Sequence, residues 1–143
     1  MAGFIGTRIQ TTGAFKMMTL FVVNGCADPK DPRETIGSFD GLASEVHRVA
    51  RLEEINGTDR LDWYGVVYDD ERIDEQLNEG LKVFLEYTKA DALVLFKTDG
   101  NKKGSRSPRI FRRHITLKDG SLMPEEQDVT FETVLNGWIH DIG

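Results

Sequence analysis

Three consecutive acids, Asp69-Asp70-Glu71, follow directly on the apolar run Trp63-Tyr64-Gly65-Val66-Val67-Tyr68. Carboxylates massed at the end of a buried strand offer hard oxygen ligands of the kind that hold Mg²⁺ or Mn²⁺. Adjacent acids stay ionised together only beside a counter-charge, which a divalent ion or a basic side chain supplies. The same residues also read without any ligand. With Asp74 and Glu75 they make an acidic helix start, which the helix dipole favours. Both readings stand at this level.

The opposite charge is concentrated elsewhere. Lys97, Lys102, Lys103, Arg106, Arg109, Arg112 and Arg113 face a single acid, Asp99, between Lys97 and His114. That segment carries a net +6; since the whole chain carries −6, the other 125 residues carry −12. Such a strip suits a diphosphate, a nucleic-acid backbone or an acidic partner, or serves solubility alone. Strand alternation puts Arg112 and Arg113 on opposite faces, so Arg109, Arg112 and Arg113 do not all reach one ligand. Cys26 has no histidine near it in sequence to make it a nucleophile, and no phosphate-binding glycine loop or nucleophile elbow is present.

These groups need elements to hold them. Leu20–Val23, Trp63–Tyr68 and Ala92–Phe96 are short apolar runs without alternation, as expected of strands covered on both faces, and Gly3–Ile9 is a weaker candidate. Between them, Leu42, Val46, Val49, Ala50, Leu52 and Ile55 recur at helical spacing after Ser38 and Asp40. A second helix is predicted from Asp74 to Tyr87, with Asp74 as its N-cap and Leu77, Leu81, Phe84 and Leu85 on one face. Arg109–Leu117 alternates as a strand returning antiparallel to Ala92–Phe96, and Asp119-Gly120 turns the chain again. Phe131–Ile139 closes the chain, read as a short helix in preference to a strand. Strand and helix in alternation predict an α/β fold: three layers, a mixed but mostly parallel sheet, helices on both faces and a Rossmann-like core.

The order of these motifs resembles GT-A glycosyltransferases, which use nucleotide-diphospho-sugars. Asp62-Trp63-Tyr64-Gly65-Val66-Val67-Tyr68-Asp69-Asp70-Glu71 is similar to their tryptophan, hydrophobic strand and acidic metal motif, with Tyr68 where a first aspartate often stands. Asn24-Gly25 falls where the family has its nucleotide-contacting loop, and Gly41–Arg48 resembles the family's following helix. Ser107-Pro108-Arg109-Ile110-Phe111-Arg112-Arg113 and Gly137-Trp138-Ile139-His140-Asp141 resemble a strand and an ending seen in bacterial members. The resemblance spans about residues 20–141 and implies a short or degenerate version with a GT-A-like core. It implies Mn²⁺ or Mg²⁺ on Asp69, Asp70, Glu71 and His140, and a nucleotide-sugar donor met by Asn24, Gly25, Arg109, Arg112 and Arg113. A base for an unidentified acceptor would come from Glu125, Glu126 or Asp128. By themselves, His140 reads equally as an exposed terminal histidine and the three acids as a solvated loop after Pro124. The alternative is a non-catalytic structural or interaction subunit on the same scaffold, docking an acidic protein or nucleic acid through the 97–113 arm.

Size and composition bound the rest. A chain of 143 residues with 39% hydrophobic and 29% charged residues suits one compact domain over residues 1–143, burying roughly 70% of its unfolded surface. No apolar run approaches the ~20 residues of a membrane span, and a single cysteine leaves no internal disulfide. Residues 17–23 are too short an apolar run, with Asn24 a poor flank, for a typical export signal, so a cytoplasmic location is the expectation.

Overall fold

A computed structural model of the chain describes residues 18–25, 28, 30–98 and 104–142. The predicted strand Gly3–Ile9 and Cys26 lie outside them. The described elements are β1 (Met18–Val23), α1 (Arg33–Gly37), β2 (Ala43–Val49), a single 3₁₀ turn (Leu52–Glu54), β3 (Trp63–Tyr68), β4 (Glu71–Ile73), α2 (Glu75–Tyr87), β5 (Ala92–Thr98), β6 (Gly104–Arg112), β7 (Phe131–Thr133) and β8 (Ile139–Asp141).

Eight strands form one curled sheet in the order β2-β1-β3-β6-β5-β8-β4, with β7 also paired to β5. Strands β2, β1 and β3 run parallel, and β6 then intervenes antiparallel to both β3 and β5. Because β4 follows β3 after two residues yet pairs with β8 at the far end of the order, the sheet must curl back on itself. The expected three-layer α/β fold with helices on both faces and a GT-A-like core is therefore incorrect. Among the described residues only two short helices are present, and the architecture is a mostly β half-barrel.

Two local misreadings account for much of that error. The segment 42–55, expected as a helix, contains strand β2. Its apolar residues follow period 3.6, yet burial along the segment alternates with period 2. Ala43, Glu45, His47 and Val49 face inward, while Ser44, Val46 and Arg48 face out. Glu45–Val49 of β2 pair in register with Thr19–Val23 of β1, and Ala43 pairs with Met18 across a register shift at Ser44, satisfying backbone groups along an otherwise open edge of β1. The closing segment, read as a helix, forms β7 and β8 instead. Gly137 at φ +84° between them ends any helical path, and both strands find partners on β5.

The strand expected over Arg109–Leu117 forms instead over Gly104–Arg112, leaving 113–117 outside it, while β1, β3, β5 and α2 follow the sequence pattern. Strands β1 and β3 are buried on both faces, and Asp74 caps α2 by accepting a hydrogen bond from the Leu77 N–H (2.9 Å). Alternation along β1 divides two cores. Met18, Leu20 and Val22 pack with Trp63, Val67 and the α2 residues Leu77, Leu81 and Leu85. Phe21 and Val23 pack on the other face with Tyr64, Val66, Phe111 and Ile115.

At Gly137 the chain also lies tight against the start of α2. A Cβ there would overlap Asp74 Oδ1 and the Leu77 backbone, besides occupying the left-handed region. We expect Gly137→Ala to cost about 2 kcal/mol or more in urea unfolding, and Gly57→Ala, which meets nothing within 4 Å, to change stability by less than about 0.5 kcal/mol.

Candidate functional site

Register aligns the carboxyl ends of the three parallel strands: Val23 of β1 stands opposite both Val49 of β2 and Tyr68 of β3. The residues that follow, Asn24-Gly25 and Asp69-Asp70, consequently meet at one end of the sheet. The Asp69 N–H donates to Val23 O (3.0 Å) and extends the pairing by one residue. Its carboxylate turns inward, 1% exposed, and accepts from the Gly25 N–H (3.0 Å) and the Lys30 N–H (2.9 Å). Arg48, one residue from the end of β2, donates Nη2 to Asn24 Oδ1 (2.7 Å) and to Asp69 Oδ2 (3.3 Å). Gly25 lies so close that a Cβ on it would stand 3.1 Å from Asp69 Oδ1 and 3.4 Å from Asp70 Oδ1.

The three acids of the motif thus separate into three environments. Asp69 organises the loop after β1. Asp70 is half-buried beside Gly25, and among the described residues no donor or cation is bonded to its carboxylate. Glu71 points the other way and is enclosed by bases. Arg109 grips it with two bonds, Nη1 to Oε1 (2.7 Å) and Nη2 to Oε2 (2.9 Å), Lys97 Nζ adds a third (2.7 Å), and the Tyr68 N–H a fourth (2.9 Å). Lys97 also reaches Asp141 (2.9 Å). Burial by itself would raise the Glu71 pKa; the bonds and charges of Arg109 and Lys97 outweigh it and hold the carboxyl down at about 2. The Lys97 ammonium, which burial would discourage, is held above its ordinary pKa by Glu71 and Asp141.

A β-bulge aims Arg109. On β5, Leu93 pairs with Ile110 and Val94 with Pro108, leaving Arg109 between them as the unpaired extra residue. Its guanidinium turns into the curl of the sheet, 5% exposed, and donates to Val66 O (3.2 Å) besides gripping Glu71.

Other predicted site residues lie elsewhere. His140 does not join the carboxylates of the motif; its Nε2 stands 3.0 Å from Asp74 Oδ2. Burial would raise the Asp74 pKa, but His140 and the N–H groups of Leu77 and Trp138 keep it below the usual carboxylate range. Arg112 lies over the Trp63 ring (4.4 Å to its centre) and donates to Ala90 O and Thr88 O. Arg113 is exposed at the amino end of β3, its N–H bonded to Asp62 O. Glu125 and Glu126 accept hydrogen bonds from Thr116, whose neighbour Ile115 accepts from the Tyr64 hydroxyl (2.7 Å). Asp128 is exposed. Tyr64 is five residues back from Asp69 along β3, about 16 Å at strand rise. Among the described residues, no three His, Cys, Asp or Glu side chains are grouped to hold a metal ion.

Two contributors escaped the sequence reading. Arg48 was placed on a helix, where nothing aims it at Asp69, and Lys97 was one base among seven. No protein-family model and no curated protein sequence matches the chain.

Glu71 and Arg109 depend on each other electrostatically. Glu71→Gln strands a buried guanidinium and is expected to lose about 3–5 kcal/mol in chemical denaturation, whereas Glu71→Gln with Arg109→Met recovers part of it. The folded-state pKa is depressed, so this contribution is complete above about pH 4.5 and is lost as pH falls toward about 2. Acid unfolding followed by tryptophan fluorescence should show Glu71→Gln flattening the stability change across that window.

Proposed function

We propose that this chain binds the diphosphate of a nucleotide-sugar, together with Mg²⁺ or Mn²⁺, at the carboxyl end of β1, β2 and β3. One observation carries the reading. The Asn24-Gly25 loop, Arg48 and the Asp70 carboxylate converge where three parallel strands end side by side, and of the three motif acids only Asp70 is left without a bonded partner among the described residues. Crevices at the carboxyl ends of parallel strands are where small ligands collect, and the curled sheet retains that feature in its parallel part.

The donor set suits a cation that arrives with its phosphates. Asp69 and Glu71 already spend their charge on Arg48, Arg109, Lys97 and backbone N–H groups, which leaves Asp70 as the protein ligand. Mg²⁺ is commonly held by one or two carboxylates with phosphate oxygens and water completing its shell. A bound ion of this kind would neutralise charge on the diphosphate. Arg48, with its side chain 37% exposed, is placed to add a guanidinium to a phosphate while remaining hinged on Asn24.

Donor binding is the activity this arrangement supports, more than sugar transfer. Glu125 and Glu126, the acids assigned to acceptor activation, sit on Thr116 at the other end of β3. Docking through the 97–113 arm draws less support, because Lys97, Arg109 and Arg112 are engaged inside the fold. Among the described residues, no helix is long and apolar enough to cross a membrane.

Calorimetry with UDP-sugars and GDP-sugars in the presence and absence of Mn²⁺ tests the reading. Wild type should bind at least one donor in a metal-dependent manner, Asp70→Ala should lose the metal dependence, and Arg48→Ala should weaken binding about tenfold. A wild-type protein that shows no metal-dependent heat with any of them overturns it.

A further inference from the structure

The amphipathic helix α2 has a second apolar face. Leu77, Leu81 and Leu85 enter the core, but Val83 is 57% exposed and Tyr87 73% exposed. Val83 lines a cleft of about 620 Å³ between α2 and residues 135–137, opposite Leu135, which is 77% exposed. An adjoining hollow of about 170 Å³ is lined by Val83, Tyr87 and Glu132. Large apolar side chains brought together on an exposed face are the usual mark of an interaction surface.

The floor of this cleft is built at a cost. Gly80 sits in the middle of α2, where glycine is less favourable than alanine by about 1 kcal/mol. A Cβ at that position would stand 2.8 Å from the Asn136 Cβ, so only glycine lets the 135–137 segment lie against the helix and present Leu135 beside Val83. The rim has one sign of charge. Glu75 and Glu79 border the larger cleft, Glu132 borders the hollow, and no lysine, arginine or histidine lines either one.

We propose that this face docks a basic amphipathic segment of a partner protein, a helix or strand whose apolar residues seat on Val83, Tyr87 and Leu135 while flanking lysines or arginines meet Glu75, Glu79 and Glu132. The charge of the rim selects this occupant: Glu79 shares its charge with Lys82 (3.3 Å) and Glu132 accepts from the Thr88 hydroxyl, but the lining stays net acidic, so an acidic segment is repelled and a basic one attracted. The surface is separate from the β1–β3 carboxyl ends and functions whether or not a nucleotide-sugar binds there.

The test uses a synthetic 14-residue peptide with leucines on one helical face and lysines on the other, added to the ¹⁵N-labelled full chain. Controls are a peptide of the same composition in scrambled order and one with glutamate replacing lysine. Amide shifts should concentrate at Gly80, Val83, Tyr87, Leu135 and Asn136. Affinity should fall about tenfold in Val83→Ser/Leu135→Ser and drop as salt rises. Both substitutions are at exposed positions and leave the core intact, which the unperturbed remainder of the spectrum verifies. Equal binding of the scrambled peptide, retention of affinity by the double variant, or shifts spread over the acidic surface each overturn the proposal. So does sedimentation showing that wild type, but not Val83→Ser/Leu135→Ser, dimerises through this face.

Discussion

The buried grip of Arg109 and Lys97 on Glu71 is the constraint around which the rest of the structure is arranged. Glu71 belongs to β4, Lys97 to β5 and Arg109 to β6, so one carboxylate ties together strands that are not all neighbours in the sheet. The penalty for taking these charges out of water is recovered only when the geometry is right, which makes the cluster intolerant of other arrangements. It therefore specifies the curl. A flat sheet would carry β4 away from β6 and leave an unpaired guanidinium behind 5% exposure. The bulge that frees Arg109 from the β5 ladder belongs to the same solution, since a regular strand would aim that residue elsewhere.

This cluster changes the meaning of the acidic motif. Three adjacent carboxylates suggest one site for a divalent cation, yet the backbone turns between them give each a different task. Asp69 is satisfied by the N–H groups of Gly25 and Lys30 and by Arg48, and works as the organiser of the loop after β1. Glu71 is structural. Asp70 remains beside Gly25 at the strand ends, the one acid of the three without a bonded partner among the described residues. The basic strip divides in the same way. Lys97 and Arg109 neutralise Glu71, and Arg112 stacks on Trp63, so part of the +6 segment compensates acid inside the fold and is unavailable to an external anion. The apparent confrontation of an acidic body and a basic arm is, to that extent, an internal contact.

The elements with a single consistent local signal were legible. Trp63–Tyr68 is a continuous apolar run with no competing helical spacing, and β3 has those bounds. Asp74 with Leu77, Leu81 and Leu85 behind it specified the capped helix α2. The antiparallel return of the chain beside Ala92–Phe96 also followed from alternation, although β6 spans Gly104–Arg112 and not Arg109–Leu117, and a bulge, not alternation, aims Arg109. Where backbone pairing opposed local spacing, the local reading failed. Leu42, Val46 and Val49 are spaced for a helix, but pairing along the edge of β1 makes 43–49 a strand with Val46 on its exposed side. That one error removed a helix from the expected crossover and, with the closing segment, turned an α/β prediction into a half-barrel.

What the sequence by itself determined is what short-range physics controls: the buried strands β1, β3 and β5, the cap and inner face of α2, the division of charge, and the position of an acidic cluster at a strand end. The tertiary structure decided which carboxylate meets which cation. Asp69 and Arg48 are 21 residues apart, Glu71 and Arg109 are 38 apart, and Asp74 and His140 are 66 apart. No local periodicity encodes such pairings, because they depend on strand order, on a bulge at Arg109 and on the curl that returns β4 toward β6. Residue types set the inventory of charges, and long-range backbone pairing selected the one arrangement in which those that are buried are also compensated.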